Sequence, residues 1–185
     1  MPNLLIKELP RYECLLEASQ RFPSLDPSAC EVFLHLLRAG DEAFLHMEQN
    51  LTHHGISHGR FGVLMQLWGA GNGCTDLSEL TPAALADRTG VTRATMTGLI
   101  DTLERDGFVK RTVDTHDRRM QRVGLTANAR DFMVKMLPGH FQRMAALMAP
   151  LNGDERTTLV TLLTKILQHI SSLQAAAEPP SAAAL

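Results

Sequence analysis

Four residues near the middle of the chain, Thr92, Arg93, Thr95 and Thr97, set short hydroxyls and one guanidinium at the start of a helical pattern. They lie off the stripe formed by Met96, Leu99, Ile100 and Leu103, whose spacing of i, i+3, i+4 and i+7 marks one buried helix face. A face that only keeps a helix in solution more often carries Glu and Lys. Hydroxyls and one Arg suit a surface that presses on something polar and regular. A guanidinium can make a two-pronged bond to guanine, and a Thr can bond a base or a phosphate while its methyl packs on thymine. The plain alternative is a solvated face of a helical protein.

A second charged set bears on that choice. The runs FVKRTV and MQRVGL flank DTHDRR at 114–119, two β-leaning segments around a charged turn. This is a hairpin. Basic side chains at a hairpin tip can follow a phosphate backbone or enter a narrow minor groove. The whole chain carries a net charge of −2, which by itself speaks against a polyanion partner. Yet 92–97 and 110–122 hold six bases (Arg93, Lys110, Arg111, Arg118, Arg119, Arg122) and two acids (Asp114, Asp117), a local +4 that leaves −6 for the remainder. Phosphate contacts act locally, so a basic edge on an acidic body suffices. Arg111 and Gln121, one on each run, join the same expected interface, as do Asp117, Arg118 and Arg119 at the tip.

The elements that must position these residues follow from caps and periodicity. Residues 1–25 predict a short helical arm broken at Pro10 and stopped at Pro23. Asp26-Pro27 is a helix start, an acceptor followed by Pro at the first helical position, and predicts a helix over 27–53. Ser57 opens a helix over 58–69 with Phe61, Leu64, Met65 and Trp68 at steps of three and four. Thr81-Pro82 opens a small helix that Gly90 closes, and Thr92 caps the helix described first, which ends at Asp106-Gly107. No strand partner for the hairpin is evident beyond a short piece near 74–77, so the hairpin must lie against helices. Thr126 caps a helix over 127–148 that should kink at Pro138-Gly139. Asn152 starts the last helix, where Leu159, Leu163, Ile166, Ile170 and Leu173 make a heptad seam that wants a partner, within its own subunit or in a second copy. The tail at 174–185 reads as disordered.

Helix, Gly turn, helix and hairpin make a winged helix-turn-helix, whose second helix can lie in the major groove with its first residues at base edges. The segment GVTRATMTGLIDTLERDGFVKRTVDTHDRRMQRVGLTANAR resembles the DNA-binding core of the MarR family of bacterial transcriptional regulators. The match runs from about Leu80 to Arg130, and Asp-x-x-Asp-Arg-Arg at the wing tip is its most specific part. The helix order extends the likeness over roughly 27–173. The resemblance implies a mainly α fold with a small β-hairpin wing and a homodimer whose first and last helices interlock. It assigns 26–57 and 127–173 to dimerisation and 58–126 to the winged lobe, in one interwoven domain. It places the minor-groove Arg on Arg119, the Asp that helps hold it on Asp117, and a phosphate contact on Arg118. A twofold dimer would read a pseudo-palindromic operator. The loop GNGCTDLSEL before Thr81 is longer than the family pattern, and the 1–25 arm is an addition.

Most such regulators are repressors released by a small molecule, often a phenolic or other aromatic acid bound between the dimer helices and the lobe. Phe61, Met65, Trp68 and Met136 are candidates to line that cleft, with His58 or Arg60 meeting a carboxylate; apolar residues at helical spacing are equally core. Some relatives sense peroxide through a Cys. Cys30 lies one turn into the 27–53 helix, where the helix dipole can lower a thiol pKa, and Cys14 is the other candidate. A lone Cys on an apolar stripe is also simple core filling. The histidines show no ligand spacing for a metal, and no cofactor is expected. No nucleophile elbow, phosphate-binding Gly loop or paired carboxylates point to an enzyme. A winged helix serving only protein contacts would not need exposed bases at its tip. Three cysteines without CxxC, no long apolar run and no secretory pattern at the start fit a reduced, cytoplasmic setting.

Overall fold

The computed structural model describes residues 8–71, 79–114, 117 and 119–177. Its elements are α1 (Tyr12–Arg21), α2 (Pro27–His53), α3 (His58–Gly71), α4 (Pro82–Thr89), α5 (Arg93–Arg105), β1 (Val109–Val113), β2 (Gln121–Leu125), α6 (Ala127–Leu147) and α7 (Gly153–Ala177). The helix starts are those the capping residues dictate. The Asp26 carboxylate accepts from the Ala29 N–H at 3.0 Å, Thr81 from Ala84 at 3.2 Å, and Thr92 from Thr95 at 3.2 Å. Each satisfies one of the amide donors that a helix start leaves without a partner.

The chain divides into two compact units, 1–141 and 142–185. In the first, α3, α4 and α5 close around Val63, Leu64, Leu67, Leu85, Met96, Ile100 and Leu103. The hairpin seals one side with Val109, Val123 and Leu125, and α6 adds Ala129, Met133 and Met136. Gly90 ends α4 at φ +67°, a backbone region that a side chain disfavours, and so turns the chain directly into α5. Strands β1 and β2 pair antiparallel from Val109↔Leu125 to Val113↔Gln121. Leu80 bridges Val123 through two backbone hydrogen bonds of 3.1 and 2.8 Å. The hairpin's extra partner is thus residue 80; the piece expected at 74–77 lies outside the described residues. Thr126 accepts from the Ala129 N–H at 3.1 Å and donates to the Gly107 carbonyl at 2.7 Å, which ties the start of α6 to the turn after α5.

Helix α6 runs through Pro138 as one continuous helix. In the second unit, Asn152 and Glu155 cap α7 reciprocally at 3.0 and 2.8 Å. Helix α7 runs to Ala177, four residues past the boundary expected at 173; 178–185 fall outside the described residues. Among its described side chains none is buried: Leu159, Ile170 and Leu173 are exposed, and Leu163 and Ile166 are half-buried. Among the described residues, no helix is long and apolar enough to cross a membrane.

Candidate nucleic-acid interface

The first turn of α5, the start of α4 and the start of β2 meet on one face of the first unit. Thr81, Pro82, Ala83, Arg93, Thr97, Met120 and Gln121 line an open hollow of about 330 Å³ there. Buried Met96, Ile100 and Leu103 hold α5 from behind, so its polar side must face outward. Arg93 is exposed, and none of the described carboxylates pairs with it. Thr97 donates its hydroxyl to the Arg93 carbonyl at 2.9 Å, which leaves its oxygen lone pairs and methyl toward solvent. Thr92 and Thr95 share a hydroxyl contact of 2.9 Å, so Thr92 is occupied with capping. Of the four residues first singled out, Arg93 and Thr97 therefore carry the freest recognition groups.

The wing divides the bases that the sequence grouped together. Arg111 does not present a free charge: its guanidinium donates to Asp101 and Glu104 on α5, and its backbone N–H bonds Glu104 at 3.3 Å. The Asp101 hydrogen bond raises its pKa most, with both carboxylate charges adding and burial opposing. Arg111 thus braces β1 against α5. Arg122 is likewise engaged, its Nε donating to Asp114. Asp114, expected at an exposed tip, is buried. At the tip itself, Asp117 and Arg119 are exposed, and the Arg119 N–H donates to the Asp117 carboxylate at 2.9 Å. Arg118 lies outside the described residues. The structure thus brings Arg93, Thr97 and Gln121 together at the hollow, places Asp117 and Arg119 on the wing, and sets Arg111 aside as a brace.

The expected effector residues disperse. Phe61 and Met136 belong to the core. Arg60 donates to Asp106 at 2.7 Å and to the Gly55 carbonyl at 2.9 Å, which pins α3 to the end of α5. Trp68 is half-buried against the core. Only His58 and Met65 share a cavity, of about 290 Å³, with Gly59, Gly62, Gln66, Thr89, Val91 and Leu99. The His58 ring meets Phe44 edge-on at 4.7 Å. His140, not singled out from the sequence, meets the Phe61 ring at a tilt, centroids 4.7 Å apart, with its Nδ1 buried and without a hydrogen bond. Burial, then the charge of His58, lowers its pKa. Its place in α6 after Pro-Gly carries no pattern that would have signalled this. Cys14 is exposed and Cys30 half-buried. Among the described residues, no three His, Cys, Asp or Glu side chains converge as a metal site.

Residues 54–120 match the sequence model of the MarR family. The chain is 34% identical over 166 residues to the HTH-type transcriptional repressor YetL of Bacillus subtilis, spanning 90% of this chain and 96% of that protein. Sco3205 of Streptomyces coelicolor, a MarR family transcriptional regulator solved in complex with DNA, superposes with a TM-score of 0.70 at 20% identity, over 78% of this chain and 89% of that one. BpsR of Bordetella bronchiseptica, whose DNA binding is regulated by 6-hydroxynicotinic acid, superposes with a TM-score of 0.60 at 27% identity, over 71% and 90% of the two chains.

Proposed function

The chain belongs to the MarR family of transcriptional regulators, DNA-binding proteins and not enzymes, and from that premise we propose that it is a homodimeric cytoplasmic repressor released by a small aromatic acid. The observation that carries the DNA contact is the hollow where Arg93, Thr97 and Gln121 converge between the first turn of α5 and the wing. A recognition helix in the major groove would set Arg93 at a base edge while Arg119 enters the adjacent minor groove.

The dimer reading rests on apolar surface that one chain leaves uncovered. Leu159, Leu167, Ile170 and Leu173 on α7 are exposed, as are Val32 and Phe33 on α2. A second copy would cover such residues on each unit, which monomeric proteins rarely leave open in number. The effector reading rests on the cavity at His58 and Met65, whose 290 Å³ suits a single-ring acid. The BpsR relative supports that ligand class by likeness.

Footprinting on DNA from upstream of its own gene tests this reading. A twofold dimer should protect two half-sites about 10 base pairs apart on one face of the duplex. Adding aromatic carboxylic acids should release the DNA and change the fluorescence of Trp68, the chain's single tryptophan. Protection of one half-site would contradict the dimer; acids that leave both signals unmoved would contradict the effector class.

A further inference from the structure

We propose that Asp114 and Arg122 are positioning residues of the wing: they touch no DNA, and their ion pair presets the tip that presents Arg119. This rests on the wing's assignment as a DNA contact, where Asp114 places a negative charge beside the phosphates. A carboxylate near a phosphate backbone repels it. Asp114 is nevertheless only 5% exposed, and its Oδ2 is held by the Arg122 Nε. Its Oδ1 accepts the N–H of Asp117 at 3.1 Å. Asp117 in turn accepts the N–H of Arg119 at 2.9 Å. One carboxylate therefore grips the body of the hairpin with one oxygen and the turn with the other. The turn closes on the same residues: the Met120 N–H donates to the Asp117 carbonyl and the Asp114 N–H to the Met120 carbonyl, both at 2.9 Å.

The grip is anchored below. Arg122 also donates to the Glu79 carbonyl at 3.4 Å, and Thr112 donates to the Glu79 carboxylate at 2.8 Å. A Cβ at position 124 would meet the Glu79 side chain at 3.0 Å, so Gly124 makes the room that lets Glu79 lie across β2. The sequence from Glu79 through Arg122 and Asp114 to Asp117 and Arg119 is one continuous hydrogen-bonded path. Fixing the backbone of a mobile turn costs conformational entropy, and a turn already fixed before binding spares the complex that cost. The pair also neutralises the acid that the grip requires. Arg122, counted from the sequence among the DNA-facing bases, acts on the binding surface only through Asp114 and the tip.

A double-mutant cycle tests the assignment on the full-length protein. Asp114→Ala should weaken binding to upstream DNA about tenfold or more when Arg119 is present, and less than about twofold in an Arg119→Ala background, because the two act through one group. Asp114→Asn keeps an acceptor for the Asp117 N–H and loses the charge; it should fall between, and it serves as the test should the Ala variant fail to fold. Equal losses in both backgrounds would make Asp114 a general stability residue and overturn the proposal, as would no loss. An Arg119→Ala protein that binds as well as wild type would instead sink the wing assignment itself, which separates the two failures.

Discussion

Replacing Arg111 by Ala should change stability and leave the salt dependence of DNA binding untouched. Its side chain is 22% exposed and pairs with Asp101 and Glu104, whose side chains are 58% and 39% exposed. Pairs this open to solvent contribute about 0.2–1 kcal/mol each, so losing both costs about 0.4–2 kcal/mol. With a urea m-value of about 2 kcal/mol/M, the unfolding midpoint should fall by about 0.2–1 M. The charge that disappears is already offset by two carboxylates, so no counterion release goes with it. A guanidinium that instead neutralised a phosphate would contribute about 0.9 to the slope of log affinity against log salt, or about 1.8 in a twofold dimer. Between about 50 and 200 mM salt the variant would then lose about twelvefold less affinity than wild type. Titrations of labelled upstream DNA at several salt concentrations, alongside urea unfolding, give both quantities. A slope lowered by about 1.8 with an unchanged unfolding midpoint would refute the brace.

Two further outcomes are expected. Leu103, fully buried where α5 meets the lobe's core, should cost about 2–5 kcal/mol when truncated to Ala, read by urea unfolding. His140 is held below its ordinary pKa by burial and by His58, so the fold favours its neutral form. The stability it contributes is complete above the unfolded value near about 6.5 and is lost as pH falls through the folded one. His140→Leu should therefore flatten the decline of the unfolding midpoint from about pH 6.5 downward; an unchanged decline would assign it to other groups.

Local chemistry explains what the sequence made legible. Caps, N1 prolines and the Gly90 turn act within four residues, so the starts of α2, α4, α5, α6 and α7 could be read directly. The buried stripe of α5 shows in its spacing for the same reason, and it left Arg93 and Thr97 facing outward. Partner choice among charges is not local. Arg60 meets Asp106 across 46 residues, and Arg111 meets Asp101 and Glu104 only because β1 folds back along α5. Counting bases along the chain therefore overstated the charge left unpaired, since Arg111 and Arg122 are engaged within the protein. Asp114 read as an exposed tip acid because nothing in DTHDRR announces an Arg on the returning strand as its partner. Phe61 and Met136 read equally well as cleft or core, since an apolar stripe does not say what covers it; both join the lobe's core, Met136 from α6 itself and Phe61 with its ring against His140 of α6. His140 had no reading at all, because burial of one polar residue in a helix depends on which neighbours pack over it.

The central claim is that the first turn of α5 and the wing together read a specific DNA sequence. The most direct test is titration of the purified protein into labelled DNA from upstream of its own gene and into random DNA of equal length, each at two salt concentrations. Binding to the upstream DNA should be about a thousandfold or more tighter than to random DNA and should weaken steeply as salt rises. Equal, weak affinity for both DNAs would contradict it.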